Sequence, residues 1–178
     1  FQDWLYATVG FRNDANSAFG SEFTTVTYPR FNVSYIPTAQ LGQFGPVSTL
    51  RVRMAWGKAG QQPGAFDQLT TYLPWASEFG PGLAPGNVGD PTLKPEVSTE
   101  IEFGGEVGLF NDKFAVDFQY WDRTVDDALI QRAYPPSGGF RRTQLSNIGQ
   151  IDANGYEVGV DANVLRTSAF SVDLFGSI

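Results

Sequence analysis

Apolar and polar positions alternate with a period of two through much of the chain, most clearly across 98–123, STEIEFGGEVGLFNDKFAVDFQYWDR. In the first arm Thr99, Ile101, Phe103, Val107 and Leu109 alternate with Glu100, Glu102, Gly104, Glu106 and Gly108, leaving Gly105 on the apolar side. Past Phe110-Asn111-Asp112-Lys113, the residues Phe114, Val116, Phe118 and Tyr120 alternate with Ala115, Asp117, Gln119 and Trp121. This pattern predicts two antiparallel strands joined by a hairpin turn. Each arm has about 10 residues, longer than the common globular strand and suited to a tilted strand that crosses a membrane. One face is apolar and aromatic; the other is rich in carboxylates.

The same rhythm predicts strands at 3–12, 28–36, 49–58, 156–164 and from Phe170 onward. Leu5, Ala7, Val9 and Phe11 oppose Trp4, Tyr6, Thr8, Gly10 and Arg12. Phe31, Val33 and Tyr35 oppose Asn32 and Ser34, with Pro29 near the strand start, where its missing N–H is tolerated. Leu50, Val52, Met54 and Trp56 oppose Arg51, Arg53, Ala55 and Gly57. Two arginines on one face of a strand need water, an ion pair or a polar lumen, because facing lipid is costly. Tyr156, Val158, Val160, Ala162 and Val164 oppose Glu157, Gly159, Asp161 and Asn163; Phe170, Val172 and Leu174 oppose Ser171, Asp173 and Phe175.

Between these strands, Asn13–Ser21 reads as a polar turn or loop and Pro37–Val47 as a connection; Ala59–Val97 and Asp126–Asn147 show no regular pattern, and Asn154-Gly155 reads as a turn or bulge. Short turns at 110–113 and 166–168 therefore alternate with long segments at 59–97 and 124–155. A meander with short turns at one end and long loops at the other describes an outer-membrane barrel wall. Soluble sandwiches and sheet-rich binding domains share the alternation and stay open on the pattern alone. Both ends of the sequence lie at or inside alternating runs, which points to a fragment of a larger sheet.

Composition narrows the chemistry. Hydrophobic residues make up 42% and aromatics 15%, but no window approaches a membrane-spanning apolar helix. A formal charge of -7 disfavours nucleic acid, which wants a basic face. Absence of Cys excludes disulfides and thiol chemistry; absence of His removes the usual zinc ligand and near-neutral proton shuttle.

Several segments, in order, resemble the C-terminal barrel of the SusC/RagA-like TonB-linked outer-membrane receptors. Asn13–Gly20 is similar to that family's glycine- and serine-rich hairpin loop, with Ala15 and Ala18 as departures. Tyr28–Ser34 and Leu50–Gly60 resemble its next two strands, with Trp56-Gly57 at an aromatic-glycine step. Gly89-Asp90-Pro91-Thr92-Leu93-Lys94-Pro95-Glu96 is similar to an asparagine-proline-aspartate-leucine-lysine-tryptophan-glutamate element, with Pro95 in place of tryptophan. Phe103–Asp127 resembles its phenylalanine-asparagine hairpin, and Asn147-Ile148-Gly149 with Asn154-Gly155-Tyr156-Glu157 its next paired motif.

The resemblance implies an all-β, antiparallel up-and-down transmembrane β-barrel fragment, with residues 1–178 supplying about seven strands of a roughly 22-stranded barrel. It implies a plug and a TonB-contacting segment outside this sequence, a SusD-like surface lipoprotein as lid, and oligosaccharide or peptide cargo in the outer membrane of a Gram-negative-type bacterium. A passive porin and a soluble carbohydrate-binding module are the alternatives. No cofactor is implied.

Arg51, Arg53, Glu100, Glu102, Glu106, Asp117, Glu157 and Asp161 are the expected lumen-facing residues, the carboxylates pairing with Arg51, Arg53, Arg12 and Arg123. A glycosidase pair is the sharper reading of these acids, but carboxylates two apart on a strand follow from alternation itself, so wall is favoured over catalysis. Asp152-Ala153-Asn154-Gly155 with Glu157 superficially resembles a calcium loop but lacks its ligand spacing, so no metal is assigned. Phe66, Tyr72, Trp75, Phe79, Tyr134, Arg141 and Arg142 are candidates for contact with cargo or a lid. Packing that holds the loops together is the competing reading. Trp4, Tyr35, Trp56, Tyr120, Trp121 and Tyr156 read as wall or girdle aromatics.

Overall fold

The computed structural model describes residues 3–16, 25–140 and 143–178. Seven antiparallel strands form one open sheet: β1 (Leu5–Asp14), β2 (Val26–Tyr35), β3 (Val47–Gln61), β6 (Glu96–Leu109), β7 (Phe114–Asp126), β10 (Gln150–Arg166) and β11 (Ser171–Ser177), neighbours in that order. Each neighbour follows its predecessor along the chain apart from two paired insertions, so the topology is the expected up-and-down meander. The expected strands at 98–109 and 114–123 appear as β6 and β7, joined by a turn in which Phe110, Asn111 and Asp112 all take positive φ. That costly left-handed run is held by Phe110 N–H donating to the Pro46 carbonyl and Asp112 N–H to Ser48 Oγ.

Three expectations are corrected, and one expected connection gains an element. The 59–97 segment is not patternless: β3 runs on to Gln61, and β4 (Tyr72–Ser77) pairs with β5 (Gly80–Pro85) as a separate hairpin. Within the 126–147 segment, β8 (Leu129–Ala133) pairs with β9 (Thr143–Asn147). Asn154-Gly155 is neither turn nor bulge but lies in regular register inside β10, opposite Asp122 and Trp121. Glycine is needed there because a Cβ would come within 2.8 Å of the Trp121 indole. The 37–47 connection, finally, carries a short helix, α1 (Pro37–Leu41), which begins at proline and stops at Gly42.

Register makes the two faces uniform across the sheet. Glu106 lies opposite both Arg51 and Asp117, and Phe103 opposite both Met54 and Tyr120. Phe118 continues the apolar face to Val158, and Val160 lies opposite Val116. The sheet has no core of its own: Val9, Phe11, Tyr156 and Leu174 are each more than half exposed, and the other face is open too. An apolar face this wide on a water-soluble chain would aggregate. From Thr99 to Leu109 it rises about 34 Å along the strand. At a tilt of about 40° that is about 26 Å of height, the apolar band of an outer-membrane barrel.

One discontinuity interrupts the sheet. β2 and β3 pair only from Tyr35–Val52 to Arg30–Gly57, whereas β1 and β2 stay paired to Asp14–Val26 and β3 and β6 to Gln61–Glu96. Above Arg30 the two strands part, and Tyr28 fills the gap at 3% exposure with its hydroxyl against Gly60.

Candidate functional site

β3 presents Arg51 and Arg53 toward β6, whose register partners are Glu106 and Gly104. Arg51 Nη1 reaches Glu106 at 3.5 Å. Arg53 has no side chain to meet on Gly104 and lies across it to β7, where Nη1 and Nη2 donate to both Asp117 oxygens at 2.8 Å and Nη2 also donates to Gln119 Oε1 at 3.0 Å. Gln119 Nε2 in turn donates to Glu102 at 3.1 Å. One strand-step higher Arg123 pairs with Glu100 and lies 5.6 Å above the Trp121 ring. Each pair is partly exposed, worth about 0.2–1 kcal/mol.

The expected cluster of Arg51, Arg53, Glu100, Glu102, Glu106 and Asp117 is therefore brought together on one face. Glu157 and Asp161 share that face, opposite Gln119 and Ala115, but take part in no ion pair among the described residues. Arg12 departs from expectation: its partner is Asp14 on its own strand, at 2.9 Å, not a carboxylate of the central ladder. Guanidinium groups pair with Glu106, Asp117 and Glu100, so these three acids belong to one polar ladder across β3, β6 and β7. The small residues Ala55, Gly57 and Ala59 on β3 leave a shallow concavity of about 520 Å³ between Arg30 and Asn32 on one side and Ser98, Glu100, Glu102 and Arg123 on the other.

The long segments lock to each other beyond the strand ends. Asn147 accepts from Lys94 N–H at 2.8 Å and donates through Nδ2 to the Lys94 and Asp127 carbonyls. Gln144 donates to the Gly89 carbonyl at 2.7 Å, and Leu129 N–H donates to Glu96. Leu93 and Ala128 are the buried apolar residues of this cluster. Burial by itself would push the Asp90 carboxyl up. Donation from Thr92 N–H and Oγ1 and Ser146 Oγ, with the nearby Arg132 charge, outweighs it and holds Asp90 below its ordinary range. Sequence reading missed this clamp, although Asn147 and the whole of Gly89–Glu96 lie inside the motifs that carry the family resemblance.

The aromatic loop candidates divide. Tyr72 and Tyr134 both pack on Phe140, at 6.5 and 5.9 Å, which is the structural role. Phe66, Trp75 and Phe79 are exposed, Phe79 by 98% at the tip of the β4–β5 hairpin. Leu73, Trp75, Leu83 and Pro85 border a groove of about 500 Å³ on that hairpin. Arg141 and Arg142 lie outside the described residues.

A family model described as TonB dependent receptor-like, beta-barrel matches residues 1–178. Among curated proteins, TonB-dependent receptor P39 of Formosa agariphila is 24% identical over 92% of this chain and 16% of its own length. TonB-dependent receptor SusC of Bacteroides thetaiotaomicron is 25% identical over 94% of this chain and 18% of its own. The chain thus spans less than a fifth of the length of these relatives. Among solved structures, the RagAB peptide importer in the closed-closed state superposes with a TM-score of 0.88 at 23% identity, covering 99% of this chain and 20% of that one. The siderophore receptor PirA from Pseudomonas aeruginosa gives 0.64 at 18% identity, over 98% of this chain and 31% of that one.

Proposed function

The chain belongs to the TonB-dependent receptor-like β-barrel family, and from that premise we propose that it is wall from an active importer of the outer membrane. In this reading the face carrying Ile101, Phe103, Val107, Phe118 and Val160 meets lipid. Arg51, Arg53, Glu100, Glu102, Glu106, Asp117, Glu157 and Asp161 line the water-filled interior. The observation that carries it is the uniform two-faced register over seven strands, apolar and open on one side, ion-paired on the other. Water is excluded from one face and retained on the other, the condition a barrel wall must satisfy.

For partners and cargo the proposal is supported by the likeness to SusC and to the RagAB peptide importer. A SusD-like lipoprotein closes the long-loop end, TonB acts through a plug domain that lies outside these residues, and the cargo is an oligosaccharide or a peptide. Phe66, Trp75 and Phe79 are the loop side chains available to touch lid or cargo, and Arg141 and Arg142 belong to the same loop end by sequence. Cysteine scanning of 99–109 in the full-length receptor in outer membranes tests the wall assignment. A water-soluble thiol reagent labels positions 100, 102 and 106, and a lipid-soluble quencher reaches 101, 103 and 107. Equal labelling of both sets overturns it, and uptake that survives collapse of the proton-motive force overturns active import.

A further inference from the structure

We infer that the gap between β2 and β3 is a binding site for a phosphate- or sulfate-type oxyanion, held by Arg30 and Lys58 with Arg12 beside them. A cavity of about 470 Å³ opens where the two strands part, lined by Phe11, Arg12, Tyr28, Arg30, Lys58 and Ala59. The chain carries 19 acidic and 12 basic residues, yet among the described residues the charged side chains lining this cavity are all cations. Arg30 and Lys58 have no ion-pair partner among the described residues. Asp14 is paired with Arg12 and Glu100 with Arg123, while Glu102, held by the neutral Gln119 carboxamide, borders the neighbouring concavity that Arg30 and Lys58 also line. Two cations without a direct ion pair among the described residues therefore face one cavity.

The backbone is arranged to keep them there. Arg30 stands between two register partners that are both glycine, Gly10 and Gly57. Its Nε lies 3.0 Å from where a Gly10 Cβ would be, so the side chain rests flat on the sheet instead of extending away from it. Tyr28, which lines the same cavity, buries a hydroxyl that has no hydrogen-bond partner among the described residues.

Alternation puts Arg12, Tyr28 and Arg30 on the polar face, but Lys58 and Phe11 on the apolar one. The gap is where both faces contribute to one cavity. It lies at the long-loop end of the strands, at the polar boundary of the apolar band, which is headgroup level in a membrane. A tetrahedral oxyanion offers acceptors to a guanidinium and an ammonium at once. Its source is either a lipid headgroup in the outer leaflet or a soluble anion reaching the site from the polar side.

The test uses the full-length receptor and an Arg30→Gln/Lys58→Gln double variant, with Lys113→Gln at the opposite end of the strands as control; heat-dependent gel mobility confirms that each is folded. Inorganic phosphate and sulfate are titrated against chloride at matched ionic strength, following thermal stabilisation. Native mass spectrometry then counts retained lipid from nanodiscs of phosphatidylglycerol and of phosphatidylcholine. Retention of the phosphatidylglycerol alone, weakened at least about tenfold in the double variant, supports a headgroup site. Saturable stabilisation by phosphate or sulfate without lipid retention, again lost in the double variant, supports a soluble oxyanion. No response to either probe, or a response equal in wild type, double variant and control, overturns the proposal.

Discussion

Arg53 reaches Asp117 across an intervening strand, because the residue between them is Gly104. A Cβ at 104 would lie 2.8 Å from Arg53 Nε and 3.0 Å from the Phe118 carbonyl oxygen. Glycine here is a passage for a guanidinium, not a source of backbone freedom. Gly104→Val is expected to break the bidentate pair and to lower stability by more than Asp117→Ala, which removes a half-exposed pair worth about 0.2–1 kcal/mol. Urea unfolding of the receptor reconstituted in vesicles, comparing the two variants, measures the difference. An equal loss in both would show that Gly104 does nothing beyond admitting that pair.

Asn147 is expected to govern how tightly the two long segments hold together. Its carboxamide satisfies backbone groups at both Lys94 and Asp127. Asn147→Ala leaves them unsatisfied, costing about 1–3 kcal/mol locally. Hydrogen exchange at 93–96 and 127–129 should accelerate by about tenfold or more. Exchange within 99–109 should not change.

The Asp90 carboxyl gives the same clamp a pH dependence of definite sign. Its folded-state pKa lies below the ordinary value, so its stabilising contribution is complete above the ordinary carboxylate range. The contribution is lost as pH falls through the depressed value. The protection factors at 89–93, which correct exchange for its intrinsic pH dependence, should therefore be flat from neutral pH down to about 5 and fall only under stronger acid. In Asp90→Asn the acid-dependent step should be absent. A step of unchanged size in the variant would assign it to another group.

Trp75 and Phe79 sit on a hairpin whose one charged residue is Glu78. Replacing both with serine is expected to leave barrel folding unaltered, because neither side chain packs into the seven-stranded sheet. Association with a surface lipoprotein or cargo, read by co-purification and by uptake, should fall several-fold. Unchanged association and uptake would remove this hairpin from the contact surface.

Alternation made the wall legible. Each position from Ile101 to Leu109 shows in the sequence which face it occupies, and β7 and β10 follow the same rule. Register was not legible: nothing local says that Trp56 lies opposite Ile101, since β3 skips two intervening strands to reach β6. The β4–β5 hairpin escaped notice because Pro74, Pro81 and Pro85 interrupt the run and it carries apolar residues on both sides. At Asn154-Gly155 a local turn preference was overruled by tertiary packing, the Trp121 indole across the strand. The partner of Arg12 was likewise invisible: Asp14, two residues along its own strand, competes ahead of more distant acids.

The β3–β6 seam also sets an order of assembly. β1–β2, β6–β7 and β10–β11 join neighbours along the chain, whereas the β3–β6 seam must close the whole 62–95 segment before its first ladder bond forms. Closure entropy grows with the length of free chain, and the self-contained β4–β5 hairpin removes much of that length in advance. The wall is thus suited to form as preformed two-strand units zipped together afterwards, with the seams under the long loops as the slow steps.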